Sequence, residues 1–256
     1  MLSKNQAKYI RQLEQKKYRQ REKAFVAEGP TVVGDLLQCG FQPRLLLATE
    51  QWQQKRNGLD ITPVTEEELR KVSFLQHPQQ VLAVFPIPES EMGQKGDTSS
   101  DETEQAINKL APKLYLALDG VQDPGNLGTI IRIADWFGID TIFCSHDTAD
   151  AWNPKVVQAT MGSIARVHII YMDLAELLSH TTLPVYGTLL DGTDIYRQEL
   201  TPEGIIIMGN EGNGISAPIR QLITRKLLIP AFREGAESLN VAIATAITCS
   251  EFRRRV

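Results

Sequence analysis

Apolar residues in this chain come in two rhythms that alternate from end to end. Short apolar runs such as AFVAEG (24–29), RLLLAT (44–49) and VLAVFP (81–86) have the length of strands. Between them, LSKNQAKYIRQLEQKKYRQREK (2–23), TVVGDLLQCG (31–40) and TEEELRKVS (65–73) space their apolar positions as helices do, and Gly40 supplies a stop signal for the second. The same alternation resumes further on. Runs KLYLALDG (113–120), DTIFCS (140–145), RVHIIYM (166–172), LPVYGTLL (183–190) and GIIIMG (204–209) predict strands, and NLGTIIRIADWFG (126–138) and DLAELLSH (173–180) predict helices. A final helix is predicted within SLNVAIATAITCSEFRRR, where Ala242, Ala244 and Ala246 would let another element approach closely. Strands alternating with helices predict an α/β fold with a parallel sheet covered on its faces.

One stretch breaks the rhythm. From Pro86 to Glu104 the chain has six acidic residues, one Lys and almost no large apolar side chain, which is linker composition. The chain therefore divides into a smaller N-terminal α/β domain at 1–88, an acidic linker at 89–110 and a larger domain at 111–256.

The 256 residues are 42% apolar, enough for a substantial core, and no run approaches the length of a membrane span. The first residues are polar rather than signal-like, so a cytoplasmic protein is expected. Cys39, Cys144 and Cys249 are far apart with no C-x-x-C pair, which predicts reduced thiols and no metal site. A net charge of −4 hides a basic start: Lys4, Lys8, Arg11, Lys16, Lys17, Arg19, Arg21 and Lys23 face only Glu14, Glu22 and Glu28 in the first thirty residues. Such a segment can meet phosphates despite the overall sign, or it can be a solvated helix face.

Three segments ask for a chemical explanation. GNEGNGIS (209–216) follows a strand, but its glycines run G-x-x-G-x-G, opposite to a dinucleotide fingerprint, and no P-loop Lys follows. Neither a phosphate cradle nor a nicotinamide enzyme fits, which leaves a ligand-binding loop at a strand end or a plain tight turn. DPGNLGTIIR (123–132) sets turn chemistry and Asn126, a residue suited to helix capping, before Arg132 on a helix. In the third, Ile229-Pro230 is followed by Ser238-Leu239-Asn240 ahead of the last helix, where Ser or Asn would ordinarily cap.

The ordered set N-x-G-x-x-x-R (Asn126, Gly128, Arg132), GNEGNGIS (Gly209, Glu211, Gly212) and IP…ESLNVAIA (Ile229, Pro230, Ser238, Leu239, Asn240) resembles the SpoU/TrmH family of the SPOUT class. These are RNA ribose 2'-O-methyltransferases that use S-adenosylmethionine. The resemblance spans from about Lys113 to the C-terminus and includes KVVQATMGSIARVHI (155–169). The N-terminal half is similar, more loosely, to the substrate-binding domain found upstream in this family. AFREGAE (231–237) is about a residue longer than the family pattern, and Gln80 stands where that pattern has Gly.

What the resemblance implies is specific. The larger domain would carry a deep trefoil knot and form a homodimer with the active site at the subunit interface. The cofactor would lie against the backbone of three loops, near Leu189, Leu190, Gly209, Asn210, Gly214, Ile229, Ser238 and Leu239. Asn126 would orient Arg132 or the target ribose, Glu211 would position Arg132 or cap its loop, and Ser238 and Asn240 would line the ribose site. No His lies in these segments, and an arginine side chain stays protonated near neutral pH, so Arg132 is expected to hold phosphate and developing alkoxide charge instead of acting as a base. RNA, ribosomal or transfer, would be the substrate, with no metal and no membrane involved. A non-catalytic RNA-binding dimer that keeps the knot is the alternative.

Overall fold

A computed structural model of the chain describes residues 2–53, 58–88, 110–233 and 238–254. The first half contains α1 (Lys4–Gln12), α2 (Lys16–Glu22), β1 (Ala24–Glu28), α3 (Pro30–Gln38), β2 (Leu45–Ala48), α4 (Glu50–Gln53), β3 (Thr62–Pro63), α5 (Glu66–Arg70) and β4 (Val81–Pro86). The rest contains β5 (Leu114–Asp119), α6 (Pro124–Trp136), β6 (Thr141–Cys144), α7 (Pro154–Ala159), β7 (His168–Tyr171) and α8 (Leu174–His180). It ends with β8 (Val185–Asp194), β9 (Gly204–Gly209), α9 (Ala217–Gln221), β10 (Arg225–Leu228) and α10 (Val241–Arg254). Of the expected linker 89–110, all but Leu110 lies outside the described residues.

Two compact units result, Met1–Met92 with Asp150–Arg166, and Gly93–Ala149 with Val167–Val256. The smaller unit has a four-stranded sheet in the order β1-β4-β2-β3, with β4 antiparallel to both β1 and β2. β1, β4 and most of β2 are buried on both faces, which is why they read as continuous apolar runs. Phe25 and Ala27 join one core cluster while Ala24 and Val26 join the other, as the two-residue period of a strand requires.

The single helix predicted for 2–23 is broken at Leu13–Gln15. The break lets Ile10 and Leu13 enter the core, and Arg19 folds back so that Nη1 donates to Leu13 O at 2.8 Å and Glu14 O at 2.6 Å. Carbonyls that a continuing helix would have satisfied thus find a guanidinium.

Residues 150–166 lie within the stretch 111–256 that the sequence assigns to the larger domain, yet they pack in the smaller unit. Trp152 stacks at a tilt on Phe25 with ring centroids 4.5 Å apart, and Val157 and Ile164 sit in the same core cluster. Asp150 receives two hydrogen bonds from Arg19, at 3.2 and 2.5 Å. Apolar periodicity shows that a segment needs burial, not against which body.

The larger unit is built on a six-stranded sheet, order β10-β8-β9-β5-β6-β7, with every neighbouring pair parallel. β5 and most of β9, near its middle, are wholly buried, as expected of a sheet covered on both faces. At the end of the chain, Arg253 of α10 donates to Phe137 O at 2.7 Å and Gly138 O at 3.1 Å, closing the C-terminal end of α6. No helix among the described residues is long and apolar enough to cross a membrane.

Burial raises the thiol pKa of Cys144 and pushes that of Cys249 up to about 12, whereas Cys39 is exposed. Thiolate, not thiol, is the reactive form. A disulfide reagent at pH 8 is therefore expected to label one cysteine of the native chain and all three after denaturation; rapid native labelling of two or more would contradict this burial.

Candidate active site

A parallel sheet delivers the C-terminal ends of its strands to one edge, and here that edge collects all three unusual segments. Asp119 and Gly209 are register partners at the ends of β5 and β9, so the loops that follow leave the sheet side by side. Asp119 Oδ2 accepts from Ser216 N at 2.7 Å, and Asn210 Nδ2 donates to Gly120 O at 2.7 Å. Gly120 N in turn donates to Ser145 Oγ at 2.9 Å, tying in the end of β6.

The glycine loop is a closed turn. Asn210 and Gly214 exchange both backbone hydrogen bonds, at 3.0 and 2.9 Å, and Asn210 Oδ1 accepts from the amides of Gly212 and Asn213. These N–H groups are spent within the loop, so no anion cradle exists there. Gly209 is required for the turn itself, because a Cβ there would come within 2.3 Å of the Gly214 carbonyl carbon, and Gly214 has φ +67°. The side chain of Asn210 is likewise occupied in holding the turn.

What the turn accomplishes is to present Glu211. Its Oε1 accepts from Asn126 Nδ2 at 3.0 Å, and its carboxylate also receives the backbone amides of Gln122 and Asp123, each at 3.4 Å. Asn126 Oδ1 then accepts from Asn240 Nδ2 at 2.9 Å. Asn126, Glu211 and Asn240, distant in sequence, form one hydrogen-bonded junction. Asn240 Oδ1 also accepts from Ala242 N and Ile243 N, so this residue caps α10 as well as joining the junction.

The expectation that Asn126 caps its helix is corrected. The cap is Asp123, whose Oδ1 accepts from Asn126 N at 2.8 Å, with Pro124 opening the helix. Asp followed by Pro is itself a helix-start signal, and it was the one to follow. With Asp123 doing the capping, the amide of Asn126 is free to bridge the other two loops.

Arg132 is not brought to this junction within its own chain. Six residues beyond Asn126 on α6, it lies about 120° around the helix and about 9 Å along it. It is exposed and has no hydrogen bond or ion pair among the described residues. Gly125, Thr129, Arg132 and Trp136 form an exposed stripe at i, i+4, i+7, i+11, and Trp136 is 85% exposed.

The remaining expected cofactor contacts sit on the same edge. Leu190 of β8 is 79% exposed, Leu189 and Ile229 are half-buried, and Ser238 and Leu239, just ahead of α10, are exposed. Ser238 Oγ has no partner among the described residues, and the backbone groups of Ile229 and Leu239 have none either. Among the described residues no group of three His, Cys, Asp or Glu side chains is placed to hold a metal ion.

The chain is similar to known proteins in sequence and in fold. Residues 113–250 match the model of the SpoU rRNA methylase family, and residues 4–83 match that of the MRM3-like substrate binding domain. The 23S rRNA (guanosine(2553)-2'-O)-methyltransferase of Bacillus subtilis is 31% identical over 98% of this chain and 97% of its own length. Among solved structures, a TrmH-family protein from Porphyromonas gingivalis superposes with TM-score 0.86 at 40% identity, covering all of both chains. An AdoMet-bound rRNA methyltransferase from Sinorhizobium meliloti superposes with TM-score 0.83 at 31% identity, covering 100% of this chain and 97% of that one. With both halves matched in order and the motif loops meeting at one sheet edge, the chain belongs to the SpoU rRNA methylase family.

Proposed function

We propose that this protein transfers a methyl group from S-adenosylmethionine to a ribose 2'-hydroxyl of ribosomal RNA. The observation that supports this most is the Asn126–Glu211–Asn240 junction, which fixes three loops against one another beside exposed apolar and unbonded backbone groups. Those groups suit the cofactor. Ile229 and Leu239 offer backbone donors and acceptors without partners among the described residues, and Leu190 and Leu239 offer exposed apolar surface, the combination an adenine ring needs.

When bound, S-adenosylmethionine supplies a methyl group on a sulfonium centre, open to in-line displacement by the ribose oxygen. The chain's own share is alignment, worth up to about 7 to 11 kcal/mol in favourable cases, and stabilisation of charge. Asn126, held by Glu211 and Asn240, keeps the loops in register. Arg132 provides a fork of donors for an RNA phosphate and for the ribose oxygen, whose proton leaves late to a phosphate oxygen and solvent. Ser238, whose hydroxyl bonds to none of the described residues, lines the ribose site.

A homodimer completes this reading. Arg132 and Trp136 share the exposed stripe of α6, so a partner protomer seated on that stripe would bury the Trp and receive the guanidinium next to its own loops. The knot implied by the family resemblance belongs to the same proposal. The basic α1 and α2, where Lys17 and Arg21 flank the Tyr18 ring at 4.9 Å each, suit contacts to the RNA backbone.

The test is incubation of the pure protein with labelled S-adenosylmethionine and unmodified 23S rRNA, followed by mapping of 2'-O-methyl sites. Label at one ribose is expected. Cofactor binding without transfer to any RNA would favour the non-catalytic alternative.

A further inference from the structure

The smaller unit contains a cavity of about 290 Å³ between the start of α3, the β2–α4 junction, α5 and the segment ahead of β4. Its lining is rich in polar side chains that face solvent. Gln51, Gln79 and Gln80 all line it, and none of their side-chain amides has a partner among the described residues. Thr49, also in the lining, is buried, and its Oγ1, closed off from solvent, has no partner among the described residues.

From this we infer that the cavity is a subsite for one unstacked nucleotide of the RNA substrate, its base read by the glutamine amides. The inference rests on the reading of the protein as an RNA methyltransferase, since the cavity lies within the matched substrate-binding domain. Its chemistry fits a base better than a phosphate. Arg70 and Glu66 both line it and offset one another, so it has no net pull on an isolated anion. Each glutamine presents a donor and an acceptor together, which matches the paired edge groups of a base. Pro30 and Leu69 add apolar surface for a ring face. The volume is slightly below the roughly 300 Å³ at which drug-sized pockets begin, which suits a single ring system.

The backbone that carries Gln79 and Gln80 is fixed in place. Gln80 O accepts from Thr49 N at 2.8 Å, and Gln79 O accepts from Val81 N. Gly29, at φ +88°, lets the Gln79 side chain lie over it, since a Cβ there would sit 3.1 Å from Gln79 Oε1. Gln51, Glu66, Arg70 and Gln79 are exposed, so a base flipped out of a loop or bulge can enter without opening the fold. Gln80, standing where the family pattern has glycine, would make the preference particular to this chain.

The experiment uses the full chain and five fluorescent RNA hairpins with one stem, four with a single bulged A, G, C or U and one fully paired, titrated at constant salt. The wild type is expected to prefer one bulge over the others by about tenfold, the worth of one good amide–base pair. Gln79→Ala and Gln80→Ala should flatten that preference and leave affinity for the paired hairpin unchanged. Gln79→Glu, of the same shape but acceptor only, should move the preference toward a base with an exocyclic amino group. Thermal melts and S-adenosylmethionine calorimetry on the same samples report folding. Equal affinity of the wild type for all four bulges, or an unaltered preference in all three variants, overturns the subsite. Methyl transfer to 23S rRNA is scored separately, so its absence would count against the enzyme reading alone.

Discussion

Replacing Arg132 by alanine is expected to lower methyl transfer about 10²- to 10³-fold, the usual cost of removing one preorganised charge-stabilising donor. Stability should stay within about 0.5 kcal/mol, because the side chain is exposed and bonds to none of the described residues. Affinity for S-adenosylmethionine should also hold, since the groups proposed to contact it lie on other loops. Arg132→Lys separates charge from geometry. Lysine keeps the charge but not the planar fork, so turnover close to wild type would rule out the bidentate role assigned here. Because α6 turns Arg132 away from the Asn126 junction of its own chain, mixing Arg132→Ala protomers with protomers altered at Asn126 should restore partial activity in mixed dimers. Failure of such complementation would place the whole site in one chain.

The second large effect is on folding. Arg19 is 2% exposed and bonds Asp150 and the carbonyls of Leu13 and Glu14. Arg19→Met would leave all three acceptors without their donor inside the smaller unit. Breaking one side of a buried pair costs about 3 to 5 kcal/mol. Asp150 keeps some contact with solvent, so the lower figure is the better expectation, on the order of 10 °C in melting temperature for a chain of this length. Calorimetry showing a shift below about 2 °C would mean the pair is incidental. The same packing bears on truncation. Deleting residues 1–88 would strip the covering from Trp152, Val157 and Ile164, so the remainder is expected to aggregate or bind a hydrophobic dye rather than behave as a clean cofactor-binding domain.

Local chemistry was legible wherever it was decided locally. The apolar runs that became β1, β4, β5 and β9 announced strands covered on both faces, and Gly40 marked the end of α3. The three motif segments were picked out, and their order pointed to the family. The phosphate cradle was excluded from glycine spacing, and the loop's internally spent amides give the physical reason.

The tertiary structure decided what depends on which distant groups meet. Nothing in DPGN says that Asn126 will donate to Glu211 and accept from Asn240, because those partners are 85 and 114 residues away; the parallel register of β5 and β9 brings in Glu211, and the packing of α10 on α6 brings in Asn240. A hydrophobic pattern records how much of a segment must leave water, and it is silent on the partner. Hence residues 150–166 could be read as part of the larger domain while their side chains complete the core of the smaller one. The break between α1 and α2 has the same origin, since a buried arginine bonding to the Leu13 and Glu14 carbonyls outweighs a continuous run of helix-forming residues.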